Sequence, residues 1–292
     1  MKLHYNISGS GETLIFLHGA YVNSEIWNYQ YAYFKHHYRV LTVDLRGHGR
    51  SPSSELSEYS VATFGEDLMH LLDDLEIKKS AICGLSLGSM VAQYVAANYP
   101  SRVKALVLVG ATASLRLNLY ERIITTIVFP KWVAMKLFSK LNTRSFMKVS
   151  FFIMWFMLGN KWLGSSDTRE KIRKSIIQVH RSELKKIYSA VHSFRKQNLN
   201  SGSYPILLIN GAFDSPVIHR HSRYITKSVS TRGTHYTLEG AGHACNHDQP
   251  LIFNEWVKVW LEKNSILPYN SVYKLDETKL DQRPLVKLGQ LT

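Results

Sequence analysis

The feature that most constrains this chain is the segment Gly84-Leu85-Ser86-Leu87-Gly88, which lies where two hydrophobic patterns meet. The apolar run before Ser86 is typical of a buried strand, and the periodic run after it is typical of a helix. Glycines two residues on either side let the backbone turn sharply from strand into helix, so that the serine Oγ projects clear of the sheet. A serine that caps a helix is the simpler alternative. The strand before and the helix after favour a nucleophile elbow.

A serine hydroxyl is a poor nucleophile at neutral pH unless a base removes its proton and an acid holds that base. His243 is the best candidate for the base, because it follows the glycine-rich loop Gly240-Ala241-Gly242 after a β-rich run. His247 lies close by and is the alternative. Three other histidines fit structural roles better: His18, His48 and His235.

Asp214 is the candidate acid. It follows the apolar run Ile206–Asn210, and a carboxylate just past a buried strand lies at the same sheet edge as the serine and the histidine. The preceding strand candidate, Val103–Val109, is followed by a Gly-Ala-Thr-Ala segment that offers no carboxylate. A turn or a helix cap ahead of Ser215-Pro216 is the simpler role for Asp214.

The negative oxygen that forms during attack on a carbonyl group needs hydrogen-bond donors, which are usually backbone N–H groups. The amide of Leu87, at the start of the predicted helix, is one candidate donor. The amide of Ala20 is the second, because Gly19 after the apolar run Leu14–Leu17 lets the backbone turn inward.

Taken together, these motifs resemble the α/β-hydrolase family. Five segments occur along the chain in the same order as in the family: His18-Gly19 with Trp27 after it, Asp44–Ser51, the elbow at Ser86, Gly211–Asp214 and Gly240–His243. The resemblance implies that Ser86 is the nucleophile, Asp214 the acid and His243 the base, with the amides of Ala20 and Leu87 as the oxyanion hole. A serine in the elbow argues against the epoxide hydrolases and haloalkane dehalogenases, which resemble this chain but have a carboxylate there.

The chain departs from the family in two places. Ser89 stands where such proteins usually have a second glycine after the elbow, and we expect its side chain to crowd the helix against its neighbours. Only Met1–Gly11 precede the second strand candidate, which is room for one strand, so we expect the family's usual first strand to be missing. Neither change touches the residues expected to carry the chemistry.

Alternating strand and helix patterns predict an α/β fold with a mostly parallel sheet flanked by helices. Seven segments predict strands: Lys2–Ser8, Leu14–His18, Arg39–Asp44, Ser80–Cys83, Val103–Val109, Ile206–Asn210 and Thr234–Leu238. Val61–Leu75 and Ser86–Asn98 predict helices between them. Over the 292 residues we expect a core at 1–113 and 204–263, a helical cap at 114–203 and a C-terminal tail at 264–292. The resemblance implies that the cap follows the sixth strand of the fold.

The predicted cap carries nearly all of the chain's net charge. Its 17 lysines and arginines, against 4 acidic residues, give +13 of the total +14. Solvated helix faces, attraction to an anionic membrane surface and steering of an anionic substrate are the three explanations. Nucleic acid is not an expected partner, because no binding module is recognisable. Nine aromatic residues between Phe129 and Trp162 predict an apolar pocket, packing of the cap onto the core, or both.

No apolar stretch typical of a secretory signal follows Met1, and Val149–Leu158 is well short of the ~20 residues that span a bilayer. The spacing of the two cysteines, Cys83 and Cys245, fits neither a metal site nor redox chemistry. We therefore expect a cytoplasmic protein without metal or cofactor. The basic cap adds the hypothesis of a peripheral contact with an anionic membrane.

The function predicted from these residues is that of a serine hydrolase. It would cleave a small carboxylic ester with an apolar acyl or aromatic group, through an acyl-enzyme on Ser86. A thioesterase, a lactonase or a carbon-carbon bond hydrolase needs the same residues, so these alternatives stay open. A hydrolase-like receptor, which keeps the triad but turns over slowly, is the alternative from another class.

Overall fold

The fold is built on one seven-stranded sheet, seen in a computed structural model that describes residues 1–128 and 131–264. The strands are β1 (Tyr5–Ser8), β2 (Thr13–Leu17), β3 (Arg39–Val43), β4 (Ser80–Leu85), β5 (Val103–Val109), β6 (Ile206–Gly211) and β7 (Gly233–Leu238). Their order is β1-β3-β2-β4-β5-β6-β7, with β1 antiparallel to β3 and every other neighbouring pair parallel. The predicted α/β fold with a mostly parallel sheet is confirmed.

Each predicted strand is present, with small shifts at the ends. Pairing of β1 begins at Tyr5 rather than Lys2, and β4 continues past Cys83 to Leu85. Within the described part of the chain one strand, β1, precedes β2, and the absence of the family's usual first strand stays a prediction. Because β2 to β7 are parallel, the loops that follow these strands meet at one edge of the sheet, where ligands of open α/β sheets bind.

Helices cover both faces of the sheet. They are α1 (Asn28–Phe34), α2 (Val61–Asp74), α3 (Leu87–Asn98), α4 (Leu119–Ile123), α5 (Lys131–Lys140), α6 (Thr143–Leu158), α7 (Ser166–Gln178), α8 (Arg181–Ser193), α9 (Pro216–Ser228), α10 (Cys245–Asp248) and α11 (Pro250–Lys263). A capping box between Ser60 and Thr63 starts α2. None of the helices in the described ranges is long and apolar enough to cross a membrane.

Strand β2 shows how the sheet joins two hydrophobic cores. Side chains alternate between the faces of a strand, so Ile15 and Leu17 pack in one core and Leu14 and Phe16 in the other. All of β2, β4 and β6 is buried. A parallel strand covered on both faces reads as a continuous apolar run for this reason.

Helices α4–α8 lie between β5 and β6, and we call residues 114–203 the helical segment. No strand interrupts it among its described residues. The insertion expected after the sixth strand of the fold thus follows the fifth strand of this chain. Phe146 of α6 and Leu184 and Ile187 of α8 are buried in the same core as Ile15, so the segment packs onto the sheet. Its division from the core as a cap stays a prediction, and the predicted tail lies outside the described residues beyond Asn264.

Candidate active site

Ser86 lies at the turn between β4 and α3 in a backbone conformation that is rare for a residue with a side chain. Its φ is 52° and its ψ is −110°, and its side chain makes no capping hydrogen bond to α3. Glycine is required on either side, because a Cβ at Gly84 would overlap the Gly88 carbonyl and one at Gly88 would overlap the Leu17 carbonyl. Ser86 is therefore held in a strained strand-to-helix turn and does not cap α3 with its side chain.

Ser89, expected to crowd α3 against its neighbours, is instead used inside the turn. It is fully buried, and its Oγ donates a hydrogen bond of 2.7 Å to the Ser86 carbonyl oxygen. The Ser89 backbone N–H donates to the same oxygen at 2.9 Å. A side chain that bonds its own helix turn occupies little space outside it, which is how serine replaces glycine here.

Asp214 and His243 form a hydrogen-bonded pair at the ends of β6 and β7. His243 Nδ1 lies 3.0 Å from both carboxylate oxygens of Asp214. The Asp214 carboxylate also accepts the Ser215 backbone N–H at 2.8 Å and the Trp162 indole N–H at 3.0 Å. Asp214 is buried, whereas the His243 side chain keeps 17% of its surface exposed.

Charge and hydrogen bonding outweigh burial at both members of this pair. Burial alone would lower the pKa of His243, but the Asp214 charge and hydrogen bond raise it above its ordinary value of 6.5. Burial alone would raise the pKa of Asp214, but His243, the Ser215 amide and the Trp162 indole together lower it. The carboxylate is therefore ionised at neutral pH, and it favours the protonated imidazole.

The other four histidines singled out in the sequence contact groups other than Asp214. His18 is buried, with Nε2 accepting the Leu45 backbone N–H at 2.9 Å and Nδ1 donating to the Gly19 carbonyl at 2.8 Å. The His48 ring packs against the His18 ring. His235 makes a hydrogen bond with the Asn210 side chain. His247, the alternative base, lies in α10 with Nδ1 at 2.9 Å from Thr168 Oγ1, facing the helical segment.

Ser86 and His243 line one apolar cavity of about 310 Å³ beneath the helical segment. The segment's side of the cavity is formed by Phe138, Phe146, Phe151, Met154, Ile172 and Tyr188, among others. Gly19 and Ala20 line the sheet side, and a Cβ at Gly19 would lie 3.5 Å from the Ser86 Cβ. The loop after β2 therefore lies directly beside the serine.

Two features of the site are open for a ligand. Among the described residues no hydrogen bond joins Ser86 Oγ to the His243 ring, and the two line the same cavity. The backbone N–H groups of Ala20 and Leu87 likewise have no acceptor within residues 1–128 and 131–264. Such contacts commonly tighten only when substrate binds. No cluster of three His, Cys, Asp or Glu side chains suited to a metal occurs in the described chain.

Trp162 is a site residue whose position the sequence did not reveal. Besides its hydrogen bond to Asp214, its ring stacks on the His243 imidazole, with ring centroids 5.0 Å apart and planes 20° apart. In the sequence it was one of nine aromatics in a helical run. The sequence signal that could have singled it out is its position between Gly159 and Gly164. Both glycines have a left-handed backbone conformation, and they mark a bend in the helical segment.

This arrangement is also found in known proteins. The family model of the alpha/beta hydrolase fold matches residues 12–250. The chain belongs to the α/β-hydrolase family. Among solved structures of α/β-hydrolases, a hydrolase from Pseudomonas aeruginosa PA01 is 26% identical, with a TM-score of 0.73 over 89% of this chain and 94% of that one. MenH from S. aureus shares the fold, with a TM-score of 0.78 at 19% identity over 90% and 99% of the two chains.

Two curated relatives are similar in sequence. The 3-oxoadipate enol-lactonase 2 of Acinetobacter baylyi is 25% identical over 271 residues, which is 90% of this chain and 94% of that protein. The pimeloyl-[acyl-carrier protein] methyl ester esterase of Aliivibrio fischeri is 34% identical over 111 residues, covering 38% of this chain and 41% of that protein. These α/β-hydrolase relatives are named as hydrolases of different substrates.

The Asp214–His243 pair predicts a titration that does not depend on any substrate. We expect the His243 imidazole to titrate above 6.5 by NMR, and Asp214→Asn to move that pKa downward, because the charge that stabilises the imidazolium is gone. Asp73→Asn, which removes an exposed carboxylate paired with Arg102, is the control and leaves His243 unchanged. A His243 pKa that is the same in wild type and Asp214→Asn would show that the carboxylate does not act on the ring.

Proposed function

We propose that the chain is a serine hydrolase that cleaves a carboxylic ester carrying an apolar acyl or aromatic group, through an acyl-enzyme on Ser86. The observation that supports this most strongly is the strained Ser86 backbone at an apolar cavity shared with the hydrogen-bonded His243. Strain of this kind persists where function requires it, because a residue with a Cβ costs about 1–3 kcal/mol there.

The proposed reaction is acyl transfer to water. His243 has Nδ1 committed to Asp214, which leaves Nε2 to take the Ser86 proton as the oxygen attacks the ester carbonyl. The N–H groups of Ala20 and Leu87 would bind the negative oxygen of the tetrahedral intermediate. His243 then gives its proton to the leaving alcohol, which leaves the acyl-enzyme. In the second half, His243 takes a proton from water as the water attacks the acyl group, and it returns that proton to Ser86 as the carboxylic acid leaves. Asp214 stabilises the imidazolium throughout.

The cavity supports a substrate that carries an apolar acyl or aromatic group. Its lining on the helical segment is mostly aromatic and aliphatic, with Ser150 as an exception, and none of the described residues that line it is acidic. Relatives named as an enol-lactonase and a methyl ester esterase keep a lactone or a methyl ester open as the natural bond. A thioesterase, a carbon-carbon bond hydrolase or a slowly turning-over receptor would use the same three side chains. Kinetic measurements must therefore distinguish these alternatives.

The role of Ser86 is tested by covalent labelling. A fluorophosphonate probe should label the wild type and fail to label Ser86→Ala, and ester hydrolysis should fall by several orders of magnitude because the nucleophile is absent. Ser228→Ala, at the far end of α9, is the control and keeps full labelling. Equal labelling of wild type and Ser86→Ala would remove Ser86 from the mechanism.

The substrate class is tested with p-nitrophenyl esters of increasing chain length. We expect kcat/KM to rise about fourfold per added methylene, the equivalent of ~0.8 kcal/mol each, until the cavity is full. Acyl thioesters and lactones measured alongside identify the preferred bond. A rate that falls steadily from acetate upward would contradict an apolar acyl pocket, and a single turnover followed by arrest would favour a receptor.

We further propose that the helical segment contacts an anionic membrane. Helix α6 lines the cavity with one side, while Phe152, Trp155 and Phe156 are 53–76% exposed on the other. At 16 residues, α6 is about 24 Å long, too short to span a bilayer, so it would lie in the interface. The net charge of +13 on the segment complements acidic lipid headgroups, and exposed Trp and Phe beside basic residues favour that region.

Vesicle sedimentation tests the membrane contact. The full chain should bind vesicles that contain phosphatidylserine at low salt and bind less at high salt, because salt screens the attraction. Trp155→Ser with Phe156→Ser should weaken binding. Leu251→Ser, which changes an equally exposed apolar residue on α11, should not. Binding that is absent or insensitive to salt would exclude this contact.

A further inference from the structure

The loop that carries His243 is held by the helical segment as well as by the sheet. Residues 161–168 of the segment are joined by several hydrogen bonds to residues 242–248, which comprise the end of the His243 loop and helix α10. The contact is close at the backbone, because a Cβ at Gly242 would lie 2.5 Å from the Trp162 carbonyl oxygen. Only glycine allows this approach one residue before the base.

Asp248 is the centre of this contact. Its Oδ2 accepts the Gly242 backbone N–H at 2.8 Å. Its Oδ1 accepts the Ser165 backbone N–H at 2.8 Å and the Thr168 hydroxyl at 2.6 Å. One carboxylate therefore bridges the start of α7 and the residue next to His243. Hydrogen bonds to a charged group are about twice as strong as neutral ones, so this bridge fixes the loop firmly.

Trp162 makes three further contacts with the acid and base. Its carbonyl oxygen accepts the His243 backbone N–H at 2.9 Å. Its indole N–H donates to Asp214, and its ring lies on the imidazole. The stacked ring limits rotation of the imidazole, and the indole donor fixes the carboxylate that faces Nδ1. A single residue of the helical segment thus restrains both members of the pair.

We infer that Trp162 and Asp248 are positioning residues, through which the helical segment orients the His243 imidazole toward Ser86. This inference rests on the proposed function for its catalytic consequence, but the restraint itself is independent of any reaction. The helical segment then supplies part of the acid–base geometry as well as the walls of the cavity.

The restraint is tested by hydrogen exchange in the full chain. In Asp248→Asn the amides of Gly242 and His243 should exchange about tenfold faster, because the charged acceptor is lost, while amides of β4 and β5 keep their protection. Thr168→Val, which removes one donor to Asp248 and is nearly isosteric, is the second variant should Asp248→Asn fold poorly. Asp73→Asn is the matched control and leaves these amides unchanged.

The consequence for turnover is tested with a soluble p-nitrophenyl ester. Trp162→Phe keeps a ring beside the imidazole but loses the donor to Asp214, so kcat should fall about tenfold while KM stays within about twofold. Trp256→Phe, which removes an indole on α11 packed against Tyr236, is the control with full activity.

The outcomes separate this inference from the proposed function. Unchanged exchange at Gly242 and His243 in both Asp248→Asn and Thr168→Val overturns the restraint, whether or not the chain cleaves esters. Faster exchange without any loss of kcat in Trp162→Phe or Asp248→Asn overturns the positioning role. Failure of the proposed function appears separately, as fluorophosphonate labelling that does not depend on Ser86.

Discussion

The hydrogen-bonded contact between Asp214 and His243 is the interaction on which the rest of the site depends. A buried carboxylate is costly unless its oxygens are satisfied, and Asp214 has three donors: the imidazole, the Ser215 amide and the Trp162 indole. Because the carboxylate stays charged, the neutral form of the imidazole keeps its proton on Nδ1, and Nε2 of that form is an acceptor. The tautomer that a base for Ser86 requires is thus a consequence of how Asp214 is buried.

Topology brings these groups together from distant parts of the chain. The residues that follow β2, β4, β6 and β7 include Gly19, Ser86, Asp214 and His243, and parallel strands deliver their carboxyl ends to one edge. Close backbone approaches then set the spacing. A Cβ at Gly110, after β5, would overlap the His243 ring, so even the strand that contributes no side chain to the pair shapes the space around the imidazole.

Local patterns predicted the parts of the site that depend on local backbone chemistry. The glycines around Ser86 predicted the sharp turn, and the glycines before His243 predicted a tight loop, because both requirements are written within five residues of sequence. The continuous apolar runs of β5 and β6 predicted buried parallel strands. The contacts that join Trp162 to the acid–histidine pair and Asp248 to the helical segment span 52 to 83 residues, and no local spacing encodes them. Ser89 was wrongly expected to crowd its neighbours, since spacing alone does not say that its hydroxyl bonds back to Ser86.

The helical segment combines properties that usually belong to separate parts of a protein. Its net charge is +13, whereas the described residues that it contributes to the cavity lining include no lysine or arginine. Trp162 of the same segment donates its indole N–H to the buried Asp214 carboxylate. A change in how α6 and α7 lie on the sheet would therefore alter the cavity walls and the orientation of His243 together. The cavity walls and the Asp214–His243 pair thus share one support, which a site built only on strand ends would lack.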